Sequence, residues 1–111
     1  MPESASPVRI VLTTAADPEE AANLARTLVE EQLAACVTLI PAVRSIYRWQ
    51  RKIEDSIETM LLIKTGADQL PALEARIHTL HTYETPEFLV LGVDASSAGY
   101  FDWLMASLSK A

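Results

Sequence analysis

The chain has 111 residues, half of them hydrophobic, with 9 Lys and Arg against 15 Asp and Glu and a formal net charge of −6. That length suits one domain with a real core. The scattered cations exclude the basic patch that phosphate binding needs, and no apolar run approaches the roughly 20 residues of a membrane span; neither nucleic acid nor membrane is an expected partner.

Residues 1–7 read as a flexible polar tail without the basic and apolar stretches of a secretory signal. The one cysteine, Cys36, has no internal disulfide partner and suits a reducing compartment, so the cytoplasm is the expected location. Residues 8–111 form a single domain. Val8, Ile10 and Leu12 alternate with Arg9, Val11 and Thr13 as in a strand covered mainly on one face. Asp17 then caps a helix, with Pro18 at its first position and Glu20 placed for a capping box. Ala21, Leu24, Ala25, Leu28 and Leu33 give it a narrow apolar face, and it is expected to end near Ala34. Cys36 to Ile40 is a second apolar strand, with the cysteine expected as a buried small hydrophobe; Pro41 marks an edge or a bend.

From Val43 to Thr65 two strands are joined almost without a pause. Lys52 to Thr65 contains neither Pro nor Gly and would extend roughly 46 Å, whereas a compact chain of this size is about 34 Å across. Part of the hairpin therefore projects. Its open edges are what single domains normally blunt or cover, so pairing with other copies, an obligate oligomer, is expected.

Leu70, Leu73, Ile77 and Leu80 space a second helix with Pro71 in its first turn, and Thr85-Pro86 stops it. Phe88 to Val93 is fully apolar, as in a central strand. A last helix after Ser96-Ser97 carries Tyr100, Trp103, Leu104 and Leu108 on one face. Strand, helix, two strands, helix, strand and a final helix make an α+β, ferredoxin-like β-α-β-β-α-β sandwich with an extended β-hairpin arm and a C-terminal helix. That fold hosts unrelated functions.

Ala34-Ala35-Cys36-Val37, Pro41, Ser45-Ile46-Tyr47-Arg48-Trp49, Lys52-Ile53-Glu54, Glu58, Lys64-Thr65, Tyr83-Glu84-Thr85-Pro86-Glu87 and Tyr100-Phe101-Asp102-Trp103-Leu104 resemble, in order, the CutA divalent-cation-tolerance family. The resemblance covers Ile10 to Leu108 and implies a homotrimer whose long hairpins pair across subunits, associated with tolerance to copper and other divalent cations. In some members ion binding lies on a cysteine ending the first strand and on two histidines before the tyrosine. Those places hold Thr13, Leu80 and His81 here, which leaves His81 as the candidate metal residue, for copper or another divalent cation. Two departures bear on geometry. Arg51 stands where the family usually has Gly at the hairpin tip, which predicts a turn wider than two residues or a strained one, and Thr82 replaces a usual Pro, altering the segment that presents His81.

His78 and His81, three apart at a helix end, are spaced to lie on one side and share an ion; a surface histidine and a capping histidine account for the same spacing. Two histidines without further ligands make a weak site. No nucleophile with a base, Gly-rich phosphate loop or metalloprotease motif is present, so no enzyme and no organic cofactor are expected. Glu58, Lys64, Tyr83 and Glu87 form a polar cluster, read either as ion pairs locking a subunit contact or as a candidate intersubunit cleft for a small ligand. Tyr47, Trp49 and Trp103 are the aromatics expected at the trimer interface.

Overall fold

The computed structural model describes residues 6–109. Most of the expected tail lies outside the described residues; of its last two, Ser6 accepts from the Arg9 guanidinium through its carbonyl and Pro7 accepts from Ala67 N–H at 2.7 Å. The elements are β1 (Val8–Ala15), α1 (Pro18–Glu30), β2 (Cys36–Trp49), β3 (Lys52–Gly66), a single 3₁₀ turn (Ala67–Gln69), α2 (Leu70–Leu80), β4 (Leu89–Gly92) and α3 (Ala98–Leu108). One antiparallel sheet runs β2-β3-β1-β4.

Helices α1 and α2 cover one sheet face. Alternation puts Val11, Leu61 and Ile63 on that face, where they pack with Leu24, Leu28, Leu73 and Ile77. A smaller cluster of Val8, Ala35, Leu104 and Leu108 seats α3. Gly66 permits that seat: a Cβ there would meet Leu108 Cδ1 at 3.2 Å.

Asp17 caps α1 as expected, its Oδ1 accepting from Glu20 N–H at 2.8 Å. The helix stops earlier than expected, at Glu30. Gln32 takes a φ of 60°, and the Gln32 and Leu33 amides donate to the carbonyls of Val29 and Leu28. This is a Schellman closure with Gln in the place Gly usually takes, and Leu33 is the apolar residue just beyond it.

The arm is present. Strand β1 pairs with β3 only as far as Ala15 opposite Thr59, so Lys52–Glu58 is held by β2 alone. The longest dimension is 44 Å. At Pro41-Ala42 the ladder skips one residue, Ile40 facing Met60 and Val43 facing Glu58, with Ala42 at φ 60°. This bulge reverses which β2 residues share a face with β3's even-numbered side chains. Beyond it, Ser45, Tyr47 and Trp49 lie on the same face as Glu58, and Arg44, Ile46 and Arg48 on the other. Arg44 forms a two-pronged ion pair with Asp55 across that second face, at 2.9 and 2.7 Å.

Trp49 pairs directly with Lys52, so the tip is a two-residue turn, with Gln50 at φ 50° and Arg51 at φ 70°. Of the two expected forms the strained one is found. Both central residues occupy the left-handed region of a type I′ turn.

Three other expectations are corrected. Strand β4 is an edge strand, and its Leu89, Val90 and Leu91 are exposed; an apolar run reads alike whether its own chain or another buries it. Cys36 is only half-buried, because it shares the face of Thr38 and Ile40 rather than the core face of Val37 and Leu39. On α3, Leu104 and Leu108 turn inward while Tyr100 and Trp103 are exposed and lie against each other at 5.5 Å between ring centres.

Candidate functional site

Where β1 ends and the arm begins, Glu58 is the first β3 residue past β1's reach. Its side chain points away from the helices, opposite to Leu61, and only 5% of its surface is exposed. The Tyr83 hydroxyl donates to Glu58 Oε2 at 2.6 Å, bringing the segment between α2 and β4 against the arm's root. Tyr47 and Trp49, set on this face by the bulge, form the far wall. A groove of about 680 Å³ results, lined by Thr14, Ser45, Ile46, Tyr47, Trp49, Glu58, Tyr83, Glu84, Thr85 and Glu87.

Its electrostatics are one-sided, with three carboxylates and no cation among the lining residues. Burial, reinforced by Glu58, raises the Glu87 pKa above the usual carboxylate value. Tyr83 is raised well above an ordinary phenol, first by burial and then by its bond to Glu58. The phenol thus remains a hydrogen-bond donor across the physiological range.

His81 anchors the same segment from beneath. As the residue that caps α2 its backbone is extended, at φ −79° and ψ 144°, which turns its ring into the protein. Ring Nδ1 accepts from Tyr83 N–H at 3.0 Å, and Nε2 lies 2.6 Å from the Thr14 carbonyl oxygen. A carbonyl only accepts, so Nε2 carries the proton and the ring is neutral. Glu20 completes the anchor. Its Oε2 takes Thr82 Oγ1–H at 2.9 Å and Thr82 N–H at 3.2 Å, so the carboxylate expected in a capping box instead fixes the segment where the usual Pro is replaced by Thr82.

The site residues expected from the sequence therefore divide. Glu58, Tyr83 and Glu87 come together. Lys64 does not: it lies six residues along β3 from Glu58, roughly 20 Å at strand spacing, and meets Thr38 Oγ1 and Cys36 Sγ instead. His78 is exposed and His81 buried, so the two do not share a side; the turn from helix to extended backbone separates them. Tyr47, Trp49 and Trp103 are all exposed. Thr13 is fully buried on the core face, and its Oγ1 has no hydrogen-bond partner among the described residues.

A resident metal is not what these residues fit. Both His81 nitrogens are committed, and no three His, Cys, Asp or Glu among the described residues stand close enough to hold an ion. Glu20, Thr14 and Glu84 are the parts of the site that sequence reasoning missed. Position three of a capped helix was the only signal Glu20 offered, and it pointed elsewhere.

Fold and groove define an arm-bearing ferredoxin-like α+β protein with an acidic cleft at the arm's root. The chain belongs to the CutA1 family: the family described as CutA1 divalent ion tolerance protein matches residues 9–107. It is 44% identical over 99 residues to the divalent-cation tolerance protein CutA of Pectobacterium atrosepticum, covering 89% of this chain and 90% of that one. The CutA of Thermus thermophilus is 42% identical over 95 residues, covering 86% of this chain and 92% of its own. The crystal structure of CutA from Xylella fastidiosa superposes with a TM-score of 0.91 at 39% identity, covering 94% of this chain and all of that one.

Proposed function

We propose that this member of the CutA1 family acts as a homotrimer in the cytoplasmic response to copper and other divalent cations, meeting those ions weakly rather than through a resident centre, and that it is not an enzyme. The arm carries this reading. Each copy leaves strand edges open on both sides of the arm, where Lys52–Glu58 pairs with β2 alone, and on the outer side of β4. Ile46, Ile53 and Ile57 on the arm are 64%, 62% and 62% exposed, beyond what an isolated ribbon tolerates in water. Unlike open edges on one subunit suit a head-to-tail contact, which closes into a ring where the rotation between copies divides a full turn. Tyr47, Trp49 and Trp103 supply exposed aromatic surface of the kind interfaces use. Half-buried, unpaired Cys36 accords with a reducing compartment. A tyrosine with a raised pKa is a poor acid and a poor nucleophile, which favours binding over catalysis.

Light scattering should return three times the 12.2 kDa chain mass; a monomer at every concentration would remove the assembly. Calorimetric titration with copper should give weak heats that are equal for the wild type and His81→Ala. Tight binding lost in that variant would make His81 a ligand and overturn the weak-contact reading.

A second reading is favoured by the groove itself. Its volume falls within the range of small-molecule sites, and it supports a trimer that senses an organic ligand, with metal contact incidental.

A further inference from the structure

Resting on that ligand-sensing reading of the same groove, we propose that the cleft at the arm's root is a binding site for an organic cation, an amine or guanidinium compound carrying separated positive charges. Three observations meet there. Glu58 is almost wholly buried, yet its one hydrogen bond, from Tyr83, uses Oε2; Oε1 has no partner in the described residues. A buried carboxylate with an uncommitted oxygen at a cavity wall stabilises whatever donor reaches it.

Tyr47 and Trp49, on the arm face that carries Glu58, also line the groove, and the faces of such rings attract ammonium and guanidinium groups. The acids are also spread out: Glu58, Glu84 and Glu87 line one groove, but they do not gather into a group that could hold a metal ion. Metal ions need oxygens converging at about 2.0–2.6 Å, whereas a longer molecule with two cationic ends meets separated carboxylates without that convergence. About 680 Å³ is room for such a molecule.

The probes are 1,8-diaminooctane and its neutral counterpart 1,8-octanediol, titrated by calorimetry and by Trp49 fluorescence in a Trp103→Phe background. The diamine should bind and the diol should not, and Glu58→Gln should weaken the diamine by about tenfold or more, the value of one charge-assisted bond. Raising the salt concentration should weaken it only modestly, because the key carboxylate is buried. Equal binding of diol and diamine would overturn the proposal, as would diamine binding untouched by Glu58→Gln or displaced by stoichiometric copper. Circular dichroism checks that the near-isosteric Gln variant folds; Tyr47→Leu, a wall substitution, should also weaken the diamine and serves if it does not. Light scattering on the same samples separates failure of the trimer from failure of the site.

Discussion

Tyr83 and Glu58 are joined at 2.6 Å, hydroxyl to carboxylate, across the gap between the α2–β4 segment and the root of the arm. Glu58 is buried and Tyr83 half-buried, so the bond is shielded and the carboxylate depends on it. Tyr83→Phe should destabilise the protein by about 1–3 kcal/mol, because it strips a buried charged acceptor of its donor. Urea unfolding at fixed protein concentration measures this. A loss below a few tenths of a kcal/mol would mean that water replaces the hydroxyl freely.

The arm's tip stores strain that a single change relieves. Arg51 holds a φ of 70°, where an L side chain meets its own carbonyl. Arg51→Gly should raise stability by about 0.5–1 kcal/mol, less than the full relief because Gly also enlarges the unfolded ensemble. The denaturant midpoint should rise while the slope stays unchanged. A fall would show that the Arg51 side chain makes a contact worth more than the strain.

How much of this was legible follows from the kind of information each feature carries. Asp17, Pro18 and the spacing of Leu24 and Leu28 encode a helix start and an apolar face locally, and both appear as expected. The arm was legible too, because uninterrupted length is a sequence property. The bulge at Ala42 was not: alanine does not advertise a positive φ, although this one residue decides that Tyr47 and Trp49 stand with Glu58. Nor was the fate of His81, since helical spacing describes it only while the helix lasts, and α2 ends at Leu80. Lys64 and Glu58 share a strand face, but sharing a face fixes direction and not distance along the strand. Strand β4 misled for a related reason, its apolar run recording burial without saying by whom.

Glu87 should make stability depend on pH with a definite sign. Burial and Glu58 raise its pKa above the ordinary 4.5, so the folded chain binds this proton more tightly than the unfolded one. Its contribution is therefore fully favourable below the ordinary value and is lost as pH rises through the folded value. At neutral pH the ionised group works against the fold, though solvent screening keeps the effect small. Glu87→Gln should be more stable than wild type at pH about 7, with the advantage gone near pH about 4. Parallel stability curves for the two proteins would show that Glu87 is not the group responsible.

The anchor beneath the groove should prove structural. His81 gives Nε2–H to the Thr14 carbonyl and takes the Tyr83 amide on Nδ1, so His81→Leu strands two backbone groups at once. At about 1–3 kcal/mol for each unsatisfied group, the loss should total about 2–6 kcal/mol, far above that of a surface histidine. Glu20 and Thr82 hold the same segment through two further bonds, in the place where a proline would restrict the backbone covalently. Thr82→Ala removes one of those bonds and adds flexibility, whereas Thr82→Pro removes both but supplies rigidity; His81, at ψ 144°, already has the extended geometry a following proline demands. Hydrogen exchange at the Tyr83 amide should therefore quicken in His81→Leu and in Thr82→Ala, and stay close to wild type in Thr82→Pro. Exchange that quickens most in the proline variant would mean that the Glu20 bonds, rather than backbone stiffness, keep Tyr83 in position over Glu58.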